Sequence, residues 1–255
     1  MRRIKTLREC GWLALDGFET WTAACRVARQ MRGKFFGVKV HPLAYSQVSP
    51  RWIISDLQDI GYQAWLDEKL GDIPSVVSAI VTSLARGGAD LVSVHGSDSI
   101  APLSAAVAAF RAVPIEECVR PIPGLGVVAI TPLTSMRPED IERIYNKSLV
   151  ERALEVARYA SVAGAYGVVC SPLEVRALRS AYPGLKYFTP GIRLPGSPKG
   201  DQERVGTPAY ALAQGADYLV IGREVLRDPL DEHRWNPDMP GAVLRIEEDI
   251  ASGVV

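Results

Sequence analysis

The sequence WLDEKLGDIP at residues 65–74 joins an apolar run to three closely spaced charges, at Asp67, Lys69 and Asp72. The apolar lead-in is typical of a buried strand, and residues i and i+2 of a strand point to the same face. We therefore expect Asp67 and Lys69 to project together from the end of one strand, with Asp72 just beyond it in a loop. Charges at such a position are costly to desolvate, so they need partners or a chemical role. Both interpretations, a salt-bridged strand end and an active site, are open from this segment alone.

The composition is that of an ordinary globular protein. The chain has 255 residues, of which 47% are hydrophobic, and its 29 basic residues balance its 29 acidic ones. This balance gives no electrostatic reason to expect nucleic acid or an anionic membrane as a partner. We expect no signal peptide and no transmembrane segment, because no apolar run is long enough. The four cysteines lie far apart without a CxxC pair, so we expect neither a zinc site nor a disulfide framework, and a reduced, cytoplasmic protein.

Short apolar runs alternate along the chain with helical patterns. The runs are mostly continuous and rich in Val, Ile and aromatic residues, which is typical of parallel strands covered on both faces. Strands are predicted at residues 12–15, 35–40, 62–69, 90–95, 125–131, 167–170, 187–189 and 218–221. Helices are predicted at residues 20–31, 49–61, 74–86, 99–111, 148–163, 173–181 and 207–214, with a helical tail at 240–252.

This alternation predicts an α/β fold of the (β/α)8 TIM-barrel type. We expect residues 1–255 to form a single domain, with an N-terminal extension at residues 1–10 and a C-terminal helix region at residues 235–255. A doubly wound open sheet is the main alternative, and the number of strands alone does not exclude it.

Polar residues fall where such a barrel carries its function, at the C-terminal ends of the strands and in the loops that follow. They are Asp16 after the first predicted strand, Lys39 in the second, Asp67 and Lys69 in the third, His95 in the fourth, Ser135 after the fifth, and Gly222 and Arg223 after the eighth. Packing does not readily explain this convergence, so the pattern predicts an active site. For His95 we expect a satisfied histidine at the barrel mouth rather than a general base.

These residues lie in segments that together resemble the orotidine 5′-phosphate decarboxylase family. The matching segments are LALD at 13–16, the strand with Lys39, DEKLGDIP at 67–74, LTSM at 133–136, VVCS at 168–171, TPGIR at 189–193, GDQER at 200–204, TP at 207–208 and GADYLVIGR at 215–223. The resemblance runs in the family's order from about residue 11 to about residue 230. The Asp-x-Lys-x-x-Asp triplet alone is moderately specific, whereas its combination with the later segments is strongly so.

The resemblance implies removal of CO₂ from C6 of orotidine 5′-monophosphate to give UMP, in de novo pyrimidine biosynthesis, without metal or organic cofactor. Lys69 would stabilise the C6 carbanion and deliver the replacement proton. Asp67 would stand beside the departing carboxylate, and Lys39 and Asp72 would complete an alternating charged network. In the family the second aspartate of the triplet reaches across a dimer interface. The resemblance therefore implies a homodimer in which Asp72 serves the partner's site.

Substrate binding is implied in the same way. Gly222 and Arg223 would bind the phosphate after the last strand, together with Gln202 on a flexible loop. Ser135 would bind the amide edge of the pyrimidine, Asp16 a ribose hydroxyl, and Pro190 would belong to the substrate-binding set. For two further arginines of this region, Arg193 and Arg204, we expect that they tune the loop or solvate its surface.

Two departures and two rival functions follow from the same segments. Val76 stands where the family commonly has a threonine near the partner's ribose, and Glu68, inside the triplet, should point away from its charged neighbours. One rival is a Mg²⁺-dependent sugar-phosphate lyase, similar to 3-hexulose-6-phosphate synthase or 3-keto-gulonate-6-phosphate decarboxylase, although Ile73-Pro74 and the GDQ segment favour the nucleotide enzyme. The other is a catalytically idle protein that binds pyrimidine nucleotides.

Overall fold

Parallel strands that pair in chain order close into a barrel. The computed structural model describes residues 5–41, 44, 48–96, 99–118, 125–228 and 231–253, and all eight barrel strands lie within those ranges. The strands are β1 (Gly11–Ala14), β2 (Gly37–Val40), β3 (Gln63–Leu70), β4 (Leu91–His95), β5 (Gly126–Ile130), β6 (Gly167–Val169), β7 (Lys186–Thr189) and β8 (Tyr218–Ile221). Because β1 pairs in parallel with both β2 and β8, the sheet has no open edge.

Helices connect these strands and cover the outside of the barrel. They are α1 (Leu7–Cys10), α2 (Trp21–Gln30), α3 (Pro50–Ile60), α4 (Pro74–Arg86), α5 (Ile100–Ala112), α6 (Pro138–Tyr145), α7 (Leu149–Ala163), α8 (Val175–Ala181), α9 (Pro208–Gln214), α10 (Arg223–Leu226) and α11 (Met239–Ser252). A 3-10 turn spans Ile115–Glu117, and β9 (Arg227–Asp228) pairs with β10 (Asp231–Trp235) as an antiparallel hairpin after β8. Within the described ranges, none of the helices has the length and apolarity that a bilayer crossing requires.

Local sequence sets where several of these helices begin and end. Helix α7 begins with a capping box, in which Ser148 accepts from the backbone N–H of Glu151 while the Glu151 carboxylate accepts from that of Ser148. Helix α4 begins at Pro74, a residue suited to the first helical turn. Helix α9 ends at Gly215, whose φ of 105° is a left-handed conformation that favours glycine.

The predicted barrel is confirmed, and the open sheet is excluded by the pairing of β1 with β8. Each predicted strand is present, with ends displaced by one or two residues at most. Helices α1, α6 and α10 and the β9–β10 hairpin were not predicted. The two four-residue helices are too short to show an apolar period, and α6 buries only Ile141.

The core has two parts, one on each side of the barrel wall. The larger part lies between the strands and the surrounding helices. The smaller part fills the barrel interior with an aromatic cluster, in which the Trp12 and Trp65 rings lie 5.5 Å apart and the Trp65 and Phe188 rings 5.3 Å apart. Since Trp65 points inward, the period of two directs Asp67 inward as well, one layer nearer to the barrel mouth.

Candidate active site

A pocket of about 490 Å³ opens at the C-terminal ends of the barrel strands. It has the size of a small-molecule site, and the aromatic cluster of the barrel interior lies beneath it. The predicted site residues that line it are Asp16, Lys39, Asp67, Lys69, Ser135, Pro190, Gln202, Gly222 and Arg223. Two polar residues from the sequence pattern, Asp72 and His95, are not among the residues that line the pocket.

Four of the lining residues form a chain of ion pairs, which we call the charged network: Asp16, Lys39, Asp67 and Lys69. The Lys39 ammonium lies 2.8 Å from Asp16 Oδ2 and 2.8 Å from Asp67 Oδ2. The Lys69 ammonium lies 2.6 Å from the same Asp67 oxygen. Lys39 and Asp67 are buried, whereas the side chains of Lys69 and Asp16 are 30% and 48% exposed. The network therefore presents one ammonium and one carboxylate to the pocket above a buried pair.

Mutual pairing keeps the buried members ionised. Burial alone would lower the pKa of Lys39, but the Asp16 and Asp67 carboxylates more than offset this, so its pKa lies above the ordinary value. Burial alone would raise the pKa of Asp67, but Lys39 and Lys69 hold it below the ordinary value. Opposite charges in alternation thus keep both groups charged at neutral pH with little solvent around them.

The end of β3 is not a regular strand. Asp67 and Lys69 do converge, but Lys69 has a φ of 49°, and the pairing of β3 with β4 changes register between Leu66 and Leu70. A left-handed lysine is an uncommon backbone state, of the kind that collects at functional sites. The i, i+2 argument thus predicted the right neighbours but not this distortion. Ser93 on β4, which the sequence analysis did not identify, contacts both residues here.

Asp72 is exposed in the loop between β3 and α4. Its Oδ1 accepts a hydrogen bond from the backbone N–H of Ile73 at 2.6 Å. Among the contacts of the described residues, none joins the Asp72 carboxylate to a lysine of the charged network in the same chain. The fold thus brings together three of the four residues predicted as catalytic and leaves the fourth facing outward.

The residues predicted for phosphate binding lie at the end of β8 and in the loop after β7. Arg223 follows Gly222 at the end of β8, and its guanidinium pairs with the Asp201 carboxylate. Gln202 accepts a hydrogen bond from the Thr134 hydroxyl and donates one to Asp201 at 3.0 Å. In this structure, therefore, the guanidinium of Arg223 is already paired with a carboxylate of the same chain, that of Asp201.

Two arginines hold the loop that carries Gln202. Arg204 pairs with buried Glu174 and donates to the carbonyl of Leu133 at 2.6 Å, which links the loop after β7 to the loop after β5. Arg193 donates to the carbonyl of Pro198 at 3.1 Å. Both arginines are buried, which excludes the alternative that they solvate the loop surface and leaves the other expectation, that they tune the loop. They can satisfy backbone carbonyls that the folded loop would otherwise leave unpaired.

The loop after β5 carries Ser135, for which binding of the pyrimidine was expected. Ser135 lies exposed in it and lines the pocket. The carbonyl of the preceding residue, Thr134, accepts from the backbone N–H groups of Glu203 and Arg204 at 3.1 and 3.3 Å. This loop and the Gln202 loop are thus joined by backbone hydrogen bonds and by side chains.

Sequence reasoning missed several lining residues. Thr134 stands inside the LTSM segment and Asp201 inside the GDQ segment, so proximity to a matched residue was the available signal. Arg227 and Trp235, from the β9–β10 hairpin, stack on each other with the guanidinium carbon 4.0 Å from the ring centre. No sequence pattern that we recognised pointed to this hairpin.

A protein family and several curated proteins match this chain over most of its length. Residues 12–235 match the family model described as the orotidine 5′-phosphate decarboxylase / HUMPS family. A protein of Pseudomonas fluorescens named orotidine 5′-phosphate decarboxylase is 40% identical over 214 residues, which cover 84% of this chain and 88% of that protein. One of the same name from Idiomarina loihiensis is 37% identical over 216 residues, covering 84% and 89%.

Solved structures agree with this match. The crystal structure of orotidine 5′-phosphate decarboxylase from Lactobacillus acidophilus superposes with a TM-score of 0.73 at 26% identity, covering 95% of this chain and 99% of that one. An uncharacterised conserved protein from Geobacillus kaustophilus superposes with a TM-score of 0.71 at 29% identity, covering 94% and 99%. The similarity therefore spans the barrel and the site residues described above.

Proposed function

Because the chain belongs to the orotidine 5′-phosphate decarboxylase / HUMPS family, we propose that it converts orotidine 5′-monophosphate to UMP. It is a carboxy-lyase of de novo pyrimidine biosynthesis, acting in the cytoplasm and without a cofactor. The observation that carries the proposal is the Asp67–Lys69 pair, held over a buried lysine and open to a pocket of nucleotide size. A protein that only bound nucleotides would have no need of a buried Lys39–Asp67 pair beneath the Lys69 ammonium.

Lys69 carries the chemical step. The bond between C6 and the carboxylate breaks heterolytically, CO₂ leaves, and the electron pair remains in an sp² orbital of C6 that the ring cannot delocalise. The Lys69 ammonium stabilises this charge and then transfers a proton to C6, which gives UMP. Lys69 is suited to this role because its ammonium is partly exposed to the pocket while its partner Asp67 is buried.

Asp67 and Lys39 prepare the site for that step. Asp67 stands beside the carboxylate of the bound substrate, and two close anions disfavour the ground state relative to the transition state. Lys39 keeps Asp67 ionised and oriented, since its ammonium bonds Asp67 on one side and Asp16 on the other.

The rest of the pocket binds the nucleotide. Arg223 and Gly222 bind the phosphate, and the guanidinium exchanges Asp201 for two phosphate oxygens. Gln202 and Pro190 contribute from the loop after β7, and Asp16 binds a ribose hydroxyl through its exposed carboxylate. The Ser135 hydroxyl can both donate and accept, which suits the amide edge of the pyrimidine.

The enzyme is a homodimer in which Asp72 completes the partner's site. Support comes from its exposed position, with the carboxylate apart from the charged network of its own chain.

The test mixes two variants, Asp72→Ala and Lys69→Ala, each expected to be nearly inactive alone. A shared site predicts recovery of up to about a quarter of wild-type activity, because half of the dimers are mixed and each has one intact site. A mixture that stays inactive after subunit exchange contradicts the shared site.

The direct test of function is turnover in the presence of EDTA. Purified protein is mixed with orotidine 5′-monophosphate, and the ultraviolet absorbance is followed with a known decarboxylase as positive control. We expect the absorbance to fall and UMP to accumulate. Activity on a hexulose phosphate that requires Mg²⁺ would instead support the sugar-phosphate lyase, and UMP binding without turnover would support the idle binder.

A further inference from the structure

Ser93 lies beneath the catalytic pair, on the inward face of β4. It is fully buried, and like Leu91 two residues earlier it points into the barrel. Its hydroxyl oxygen lies 2.6 Å from Asp67 Oδ1 and 3.2 Å from the backbone nitrogen of Lys69. The direction of both hydrogen bonds is fixed by chemistry: an ionised carboxylate can only accept and a backbone N–H can only donate. Ser93 therefore donates to Asp67 and accepts from Lys69.

This arrangement divides the two oxygens of Asp67 between different partners. Oδ2 accepts from both ammonium groups, at 2.8 Å from Lys39 and 2.6 Å from Lys69. Among the described residues, Ser93 is the one side chain that donates to Oδ1. The lysines hold one oxygen and Ser93 holds the other, so together they restrict rotation of the carboxylate about the Cβ–Cγ bond of Asp67.

The second hydrogen bond acts on the backbone of the proton donor. Lys69 has a φ of 49°, an uncommon state that persists only where the surroundings hold it. The Lys69 N–H lies where β3 has lost regular register with β4, and the Ser93 hydroxyl accepts from it there. One hydroxyl thus ties the side chain of one catalytic residue to the main chain of the other.

We propose that Ser93 is a positioning residue that sets the geometry of the Asp67–Lys69 pair, a role that rests on the proposed decarboxylation. Its donation to Oδ1 also makes Asp67 less basic, so that Asp67 competes less strongly for the proton that Lys69 must transfer to carbon. Small misplacements of reacting groups are costly in rate, so the effect falls on the chemical step. Nucleotide affinity is unaffected, because Ser93 is not among the residues that line the pocket.

The test compares Ser93→Ala and Ser93→Cys with a matched control. Ser93→Ala removes both hydrogen bonds, and we expect kcat to fall about tenfold to hundredfold, as for loss of a hydrogen bond to a charged group. UMP, which lacks the C6 carboxylate, should bind within about twofold of wild type. Ser93→Cys has nearly the same shape and a weak donor, so its kcat should lie between those of wild type and Ser93→Ala.

The control is Tyr62→Phe, which also deletes one buried hydroxyl, just before the first residue of β3 at the other end of the barrel. The Tyr62 hydroxyl donates to the carbonyl of Ala28 at 3.2 Å, outside the pocket. This variant should lose stability but keep its kcat. If Ser93→Ala behaves in the same way, with lower stability and unchanged kcat, Ser93 is structural and the inference is overturned.

Crystal structures of wild type and Ser93→Ala separate this inference from the proposed function. If wild type does not decarboxylate orotidine 5′-monophosphate, the proposed function is wrong. The two crystal structures then show whether Ser93 positions the pair. A rotated Asp67 carboxylate or a changed Lys69 backbone in Ser93→Ala supports it, and an unchanged pair overturns it. If wild type is active and Ser93→Ala has wild-type kcat, the function stands and the inference alone is overturned.

Discussion

Replacement of Lys69 by alanine should abolish the reaction and leave the fold and nucleotide affinity largely intact. Asp67 would keep Lys39 at 2.8 Å and the Ser93 hydroxyl at 2.6 Å, so the buried carboxylate is not left unpaired. Because the lysine side chain is 30% exposed, its loss should cost only about 1 kcal/mol of unfolding free energy. The rate should fall by at least about 10⁴-fold, since a general acid and an electrostatic stabiliser are each worth about 10²-fold or more.

The assay follows orotidine 5′-monophosphate by absorbance at enzyme concentrations high enough to detect a single turnover. UMP affinity is measured by calorimetry and should stay within about tenfold of wild type. Lys147→Ala is the matched control, because this lysine of the loop between α6 and α7 is also partly exposed and pairs with a carboxylate, that of Glu155, at 2.8 Å. Urea titration verifies that both variants fold. Turnover by Lys69→Ala within tenfold of wild type would refute the assignment of the proton donor.

Three further outcomes are expected. Arg204→Ala should lower the free energy of unfolding by about 3–5 kcal/mol, because it leaves buried Glu174 without its partner, and Arg204→Met with Glu174→Leu should recover part of this in urea titrations. Asp201→Asn should tighten UMP binding about two- to fivefold by calorimetry, since a surface pair with Arg223 competes only weakly, and weaker binding would contradict this. The pKa of Asp67 is lowered by folding, so its stabilising effect is complete above about pH 4 and lost only as pH falls further. The stability difference between wild type and Asp67→Asn should therefore be equal at pH 5 and pH 7, and a difference that shrinks at pH 5 would count against the ion pairs.

Much of the site could be predicted because barrels place function at known positions. Asp67 could be assigned to the mouth from its place at the end of an apolar strand, and Lys39 and Asp16 from theirs. The burial of Arg204 could not be predicted, because it depends on contact between the loop after β5 and the loop after β7. An arginine in a glycine-rich segment ordinarily faces solvent, and only the carbonyls and the carboxylate that it contacts here explain its position.

The sequence by itself indicated the order of the eight strands and of most helices, and that Asp16, Lys39, Asp67 and Lys69 lie at the mouth of the barrel. Those properties follow from the short-range periodicity of apolar and polar residues in the sequence. Only the tertiary structure decided that Ser93 hydrogen-bonds both Asp67 and Lys69, that Lys69 adopts a left-handed backbone, and that Asp201 forms an ion pair with Arg223. These depend on the register between neighbouring strands and on contacts between distant loops, which no local pattern encodes.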